Sequence, residues 1–456
     1  MTRCNRKTSS LTKKISWTSA AFAAVLATVS PLTQAANEQV IPGPRDCFWA
    51  RGPVSADPYV NIAYPDSSVF YWAAMFTVPD GARLDMAGEF AHSRYQSLIS
   101  YDNRGRPVES VADYLIEPNK GSINPFRAGA RRDSRHRDYT IEVVGQALST
   151  QNVEGKNLAG LKRNKIHAPA FSGQQALLYR IYAPDDKANE SGGVDLPKPV
   201  LTLADGRRLT GSEACKALKT NQPLQITLDA LGIPTSQYRE LISQPDKPDT
   251  WPAVIPAKWH IQLDRKSLIG IYTGDINYES RRSAGGFYPN PDNNYIRTIV
   301  NRRHGPVVVI RAKMPTTPKT FDGDKKMTDA QLRYWSICSN QSFANTRVND
   351  CLFDEEVPLD QNGYYTIVIS READRPRNAR QECGMAWLPM ADDGDGVFDK
   401  DVSIIQIRNM LASDDFKQAI QNVEIDGTAE EVMGEYYPQL MYTMTNAVEV
   451  AMPCNT

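Results

Sequence analysis

Short runs of alternating apolar and polar residues recur along the chain, each closed off by Gly, Pro, Asn or Asp. Tyr139-Thr140-Ile141-Glu142-Val143-Val144 and Tyr365-Thr366-Ile367-Val368-Ile369-Ser370 are two of them. A period of two sends neighbouring side chains to opposite faces and predicts strands. Turn residues stand just outside them, as in Asp102-Asn103-Arg104-Gly105 and Asp360-Gln361-Asn362-Gly363. Long helical periodicities are scarce. The pattern predicts a mainly β fold of sandwich or jelly-roll type.

The runs also repeat in order. Arg94-Tyr95-Gln96-Ser97 returns as Arg333-Tyr334-Trp335-Ser336, and the two tyrosine-led runs above match each other. Asp113-Tyr114-Leu115-Ile116-Glu117 pairs with Asp350-Cys351-Leu352-Phe353-Asp354. Leu177 to Tyr182 pairs with Ile404 to Asn409, and less closely Ala74 to Pro79 pairs with Val309 to Pro315. Several ordered matches at similar offsets predict two related β modules.

We place the first module at residues 37–210 and the second, with C-terminal helices, at 257–456. Residues 211–256 read as a connector: Ser212 and Ser236 each suit a helix start, and Pro245, Pro248, Pro252 and Pro256 favour extended chain. Near the C-terminus, Ser413 before Asp414 and Asp415 suits a helix start, as does Thr428 with Glu431 as a capping box.

Residues 1–36 read as a secretory signal peptide. Arg3, Arg6, Lys7, Lys13 and Lys14 precede the apolar stretch Ile15 to Val29, and Ala35 and Ala36 supply a small-residue exit. No later stretch is long and apolar enough to span a bilayer. The expected location is periplasmic or extracellular. Without the leader the chain has more acidic than basic residues, which argues against a general nucleic-acid binder. The remaining cysteines are Cys47, Cys215, Cys338, Cys351, Cys383 and Cys454, an even set without C-x-x-C spacing. In an exported chain this predicts disulfides. Cys338 and Cys351 fall on consecutive strands; Cys47–Cys215 and Cys383–Cys454 then follow by elimination within each half.

The motifs Asn61-Ile62-Ala63-Tyr64-Pro65-Asp66, Arg94-Tyr95 with Ser97, Gly121-Ser122-Ile123-Asn124-Pro125-Phe126, Tyr334-Trp335-Ser336, Trp387-Leu388-Pro389 and Met433-Gly434-Glu435-Tyr436-Tyr437-Pro438 resemble those of an uncharacterised family of exported bacterial proteins. The Tyr-Trp-Ser, Gly-Tyr-Tyr-Thr and Trp-Leu-Pro elements also resemble a broader β domain of unknown function. The resemblance covers most of the chain and implies fold and export, with no activity, cofactor or ligand attached.

Candidate chemistry is sparse. The five histidines lack metal-ligand spacing, and no nucleophile elbow, phosphate loop or dinucleotide fingerprint occurs. No cofactor is expected. Asp393, Asp395 and Asp399 partly follow a calcium loop, but Ala391 holds its first ligand position and Val402 its last, so a solvated turn is the stronger reading. Arg127, Arg131 and Arg132, then Arg302 and Arg303, form basic loops suited to oxyanions. With Tyr436 and Tyr437 they are candidates for a saccharide-like or anionic ligand held between the modules. Asp102, Asp113 and Glu117 are available for acid–base work. The repeated Arg94, Tyr95 and Ser97 and Arg333, Tyr334 and Ser336 read as structural, with Asp113 and Asp350 as partners of the arginines. The favoured function is a noncatalytic envelope or secreted binding protein for a polar ligand. The alternatives are a hydrolase or lyase acting on a cell-envelope or extracellular polymer, and a structural assembly component.

Overall fold

The computed structural model describes residues 47–146, 164–220, 232–245, 251–276, 280–283 and 288–454. The signal segment and the middle of the Pro-rich stretch lie outside them. The first half carries β1 (Arg51–Val54), β2 (Val69–Phe76), β3 (Arg83–Glu89), β4 (Ser93–Tyr101), β5 (Pro107–Ala112), β6 (Asp138–Val144), β7 (Lys165–His167), β8 (Gln175–Pro184), β9 (Lys198–Thr202), β10 (Arg208–Thr210) and α1 (Gly211–Ala217). The second half carries α2 (Thr235–Ile242), β11 (His260–Ile261), α3 (Arg265–Thr273), β12 (Asn293–Asn301), β13 (Val307–Lys313), β14 (Tyr334–Asn340), β15 (Val348–Phe353), β16 (Tyr364–Ser370), β17 (Ala386–Pro389), β18 (Val402–Met410), α4 (Ala429–Met433), β19 (Gln439–Thr443) and α5 (Thr445–Ala451). The fold is mainly β, with helices in the connector, just after it and near the C-terminus.

Four sheets result. Their orders are β1-β2-β8-β4-β5 and β10-β9-β3-β6-β7 in the first half, and β11-β12-β18-β14-β15 and β17-β16-β13-β19 in the second. Apart from β10, which has no counterpart, the sheet orders of the halves correspond, down to a parallel pair at one edge of each, β6 with β7 and β16 with β17. Within each half two sheets enclose a core. Trp72, Leu98, Leu177 and Ile181 of one sheet meet Leu84, Met86, Ile141 and Leu201 of the other. Ile296, Ile337 and Ile407 likewise meet Ile310, Ile367 and Leu388. The alternating pattern produces this arrangement by giving each strand one apolar face.

The central strands β4, β8, β14 and β18 are buried along their length, apart from Pro184 at the end of β8, so their second faces are covered too. There the halves meet through Tyr95, Leu115 and Tyr182 against Tyr334, Phe353 and Met410. Beside this contact, each half lends a loop to the other. Tyr64 N–H donates to Thr346 O at 2.8 Å, and Tyr288 N–H donates to Gly105 O at 2.9 Å. Both tyrosines have left-handed backbone, φ 52° and 53°, and each precedes a proline.

The register corrects three of the expected pairings. The counterpart of β2 is β12, because each pairs with the long central strand β8 or β18; Val309 to Pro315 belongs to the following strand. Ala112 lies opposite Ser97 and Phe353 opposite Ser336, so Asp113 corresponds to Asp354 and not to Asp350. Arg180 lies opposite Ser97 and Arg408 opposite Ser336, which moves the Leu177–Tyr182 match by one residue. Such a slip exchanges the two faces of a strand.

The helix starts also differ. Ser212 and Ser236 sit inside α1 and α2, behind Thr210 and Pro234, and neither helix has a side-chain cap. Residues Ser413 to Asp415 form a turn. The hydroxyl of Thr428 donates back to Ile425 O instead of capping α4. Asp264 does cap, accepting from Ser267 N–H at the start of α3. The segment read as a connector is divided between the cores: Ala214 and Leu218 pack in the first, Ile233, Tyr238 and Ala253 in the second. The cysteines form Cys47–Cys215, Cys338–Cys351 and Cys383–Cys454.

Candidate functional site

Charged and hydroxyl side chains concentrate where the halves meet. Arg94 Nη1 lies 3.0 Å from Asp354 Oδ1, and its other nitrogen bonds Glu355. Arg333 Nη1 lies 3.2 Å from Asp113 Oδ1. Each carboxylate also caps the neighbouring strand of its own half: Asp113 accepts from Gln96 N–H at 2.8 Å and Asp354 from Trp335 N–H at 3.1 Å. The arginine partners are therefore exchanged between halves, and Asp350 is not among them. Asp66 is fully buried and accepts from Tyr334 and Ser336 hydroxyls at 3.1 and 2.7 Å and from Arg408 Nη1. Burial raises Asp113 to about 6, against the opposing pull of Arg333, and raises Glu356 to about 7. Glu356 is pushed further by Asp66, Asp350 and Asp354. These groups are hydrogen-bonded and enclosed, so they serve as the seam of the scaffold.

The expected ligand residues are dispersed. Arg127 bonds Glu117 at 2.6 Å and two backbone carbonyls. Arg131 is exposed and paired with Asp133 at 3.0 Å, whereas Arg132 is buried against Asp185 and the carbonyls of Ser93, Thr320 and Asp324. Arg302 joins Asp374 and Asp401, and Arg303 stands 3.8 Å from Asp401. Tyr436 packs on Phe416 and accepts from Gln331 at 3.1 Å; Tyr437 is half-buried against the second core. Arg302 and Arg303 precede β13, while Lys313, under the Tyr436 ring, ends it. A strand of that length separates them by about 20 Å. The guanidinium groups of these arginines are engaged by acids, some near in sequence (Glu117, Asp133) and some remote (Asp185, Asp374, Asp401), the reason a sequence run of arginines does not by itself make an open anion site.

The acidic loop is likewise internally satisfied. Asp395 is fully buried, and its carboxylate accepts from Val397 and Phe398 N–H and from the Tyr238 hydroxyl. Asp393 accepts from Gln341 and Asp399 from Asp401 N–H. Asp66, Cys338 and Cys351 cluster tightly, but both sulfurs are spent on a disulfide. Asp102 is held by Arg106 and two backbone amides, and Glu117 by Arg127.

An open groove of about 230 Å³, with a largely apolar surface and polar side chains among its lining, lies on the first half, across β3 and β6. Its walls include Glu89, Asn119, Asp138, Asp195 and Lys198, and its floor holds Gly88 and Tyr139. Gly88 lies directly opposite Tyr139, and any Cβ there would stand 2.7 Å from the phenol ring. The missing side chain lets the ring cross the β3 backbone. Asp138 accepts from Ser122 at 3.1 Å, and Lys198 pairs with Asp195 at 2.6 Å. The sequence reading missed this groove because its residues come from four separate segments with no common motif.

No protein-family model and no curated protein matches the sequence. Two solved structures are similar over most of the chain. An uncharacterized protein from Burkholderia cenocepacia is 10% identical with a TM-score of 0.43, covering 85% of this chain and 80% of its own. The VPA0106 protein of Vibrio parahaemolyticus is 11% identical with a TM-score of 0.38, covering 83% and 90%.

Proposed function

We propose that the protein is an exported, noncatalytic binding protein, built by duplication of one β module, that holds a saccharide-like ligand in the groove over β3 and β6. The lining of that groove carries the reading. Glu89, Asp138 and Asp195 offer acceptors, while Asn119 and Lys198 supply donors, the mixture that hydroxyl-rich ligands engage. Three carboxylates against one lysine disfavour an anionic ligand there. Export is supported by the three disulfides, which persist in oxidising compartments, and by the absence, among the described residues, of a helix able to cross a membrane.

The test is a glycan array followed by calorimetry on the best binder. Asp138→Ala with Asp195→Ala is expected to abolish binding while leaving the melting midpoint unchanged. Binding that survives both substitutions overturns the groove, and cleavage of the bound glycan overturns the noncatalytic part.

A further inference from the structure

We propose that the first half contains a buried site for a small inorganic anion of chloride size, bounded by Ser97, Arg180 and Asn290. The second half supplies the template. There, Asp66 sits on a tyrosine, a serine and an arginine, namely Tyr334, Ser336 and Arg408. Strand register assigns their counterparts without ambiguity. Tyr95 and Tyr334 face Tyr182 and Met410, and Ser97 and Ser336 face Arg180 and Arg408. Tyr71 and Tyr295 lie opposite the same two arginines, which stack on them at 5.0 and 5.2 Å. Tyr64-Pro65-Asp66 corresponds to Tyr288-Pro289-Asn290, and the turn bond is kept: Ser68 N–H donates to Asp66 Oδ1 at 3.0 Å, and Asp292 N–H to Asn290 Oδ1 at 3.1 Å.

One atom differs in kind. Where Asp66 presents a carboxylate oxygen, Asn290 presents an amide. Its Nδ2 donates to the Tyr95 and Tyr182 hydroxyls at 3.2 and 3.3 Å, and it accepts nothing from Ser97 or Arg180. Of the three groups that grip Asp66 in the second half, the counterparts of the serine and the arginine are left over in the first. Ser97 Oγ and Arg180 Nη1 are buried, with Ser97 1% and Arg180 2% exposed, and neither makes a hydrogen bond of good geometry among the described residues; the Tyr95 hydroxyl stands beside Ser97 and the Tyr101 hydroxyl beside Arg180. Asn293 Oδ1 is buried and unbonded in the same region. No carboxylate of the described residues stands within 4.0 Å of Arg180, whose other terminal nitrogen donates to Tyr288 O. Asp292 acts on Arg180 through space but accepts the Tyr95 hydroxyl at 2.5 Å.

A buried hydroxyl and a buried guanidinium nitrogen that each lack a well-placed acceptor are costly, and an acceptor-only species removes that cost. A halide supplies the negative charge and the acceptor capacity that the Asn290 amide does not offer to Ser97 and Arg180.

The test uses the intact protein crystallised in bromide and melted in sodium chloride or sodium gluconate at equal ionic strength. An anomalous bromide peak is expected within hydrogen-bond distance of Ser97 Oγ and Arg180 Nη1. Chloride is expected to raise the melting midpoint by about 2 °C over gluconate. Asn290→Asp restores the carboxylate and should abolish both the peak and the chloride effect. Ser97→Ala, which perturbs folding less, should weaken the chloride effect by itself. An ordered water in place of bromide, or a chloride effect unchanged in both variants, overturns the proposal.

Discussion

Arg94 is neutralised by Asp354, the residue whose equivalent in its own half, Asp113, instead neutralises Arg333. The pairing is reciprocal down to the backbone: Arg94 Nη1 also donates to Arg333 O at 3.3 Å, and Arg333 Nη1 to Arg94 O at 3.5 Å. Charges that look self-sufficient along the chain are completed only by the opposite half.

Removing one partner should therefore be expensive. Asp354→Ala leaves the fully buried Arg94 with Glu355 alone of its two carboxylate partners and strips Trp335 N–H and the Thr317 hydroxyl of an acceptor, and is expected to cost about 3 kcal/mol in urea unfolding. Replacing both members, Arg94→Met with Asp354→Leu, should recover part of that loss, since Glu355 keeps the Phe321 and Asp322 amides while the Trp335 N–H stays without its acceptor. A cost under about 1 kcal/mol for the single change would contradict the role of the seam.

Glu356 titrates upward on folding, from 4.5 to about 7, chiefly through burial. The folded state thus holds its proton more tightly than the unfolded state. The stabilisation is complete below about pH 4.5 and is lost as pH rises through about 7. Glu356→Gln keeps an acceptor for Phe353 N–H, bonded at 3.0 Å in the native side chain, and cannot ionise. The difference in melting midpoint, variant minus native, should grow in the variant's favour between pH 5 and 7. A difference independent of pH would assign the effect elsewhere.

The disulfides should rank by the loops they close. Cys47–Cys215 spans 168 residues and Cys338–Cys351 spans 13. The chain-entropy model gives about 5 and about 3 kcal/mol respectively. Paired serine replacements compared by denaturant unfolding check the order.

In the acidic loop, Asp395→Ala removes the acceptor for two amides and a buried tyrosine hydroxyl. A loss of about 3 kcal/mol is expected from these unmet donors. Calcium at millimolar concentration should leave the native melting midpoint unmoved; a rise that disappears in Asp395→Ala would instead establish a metal site.

How far the sequence carried the reading depended on the range of each interaction. Alternation reports local burial, so strands such as Tyr139–Val144 were legible. The hairpin cysteines Cys338 and Cys351 were legible for the same reason, as neighbours across one turn. Partners across the seam were not. Asp350 looked like a mate for Arg333 because it lies on the next strand, yet the charge that meets Arg333 comes from Asp113, 220 positions away. The Arg127–Arg137 loop seemed open because its neutralising contacts, including Asp185 and the carbonyls near Asp324, are remote in sequence. One signal was present and unused. Tyr64-Pro65-Asp66 and Tyr288-Pro289-Asn290 share a tripeptide shape, and aligning them would have placed β2 against β12.

The exchanged loops make the peptide link between the halves redundant once folding is done. Tyr64 is bonded to Thr346 and Tyr288 to Gly105, while none of the three disulfides joins residues before position 220 to residues after 232. A single proteolytic cut between α1 and α2 would leave two fragments clasped by noncovalent contacts alone. They should travel together through a sizing column and part only in denaturant, as interlocked hands do when the arms are cut.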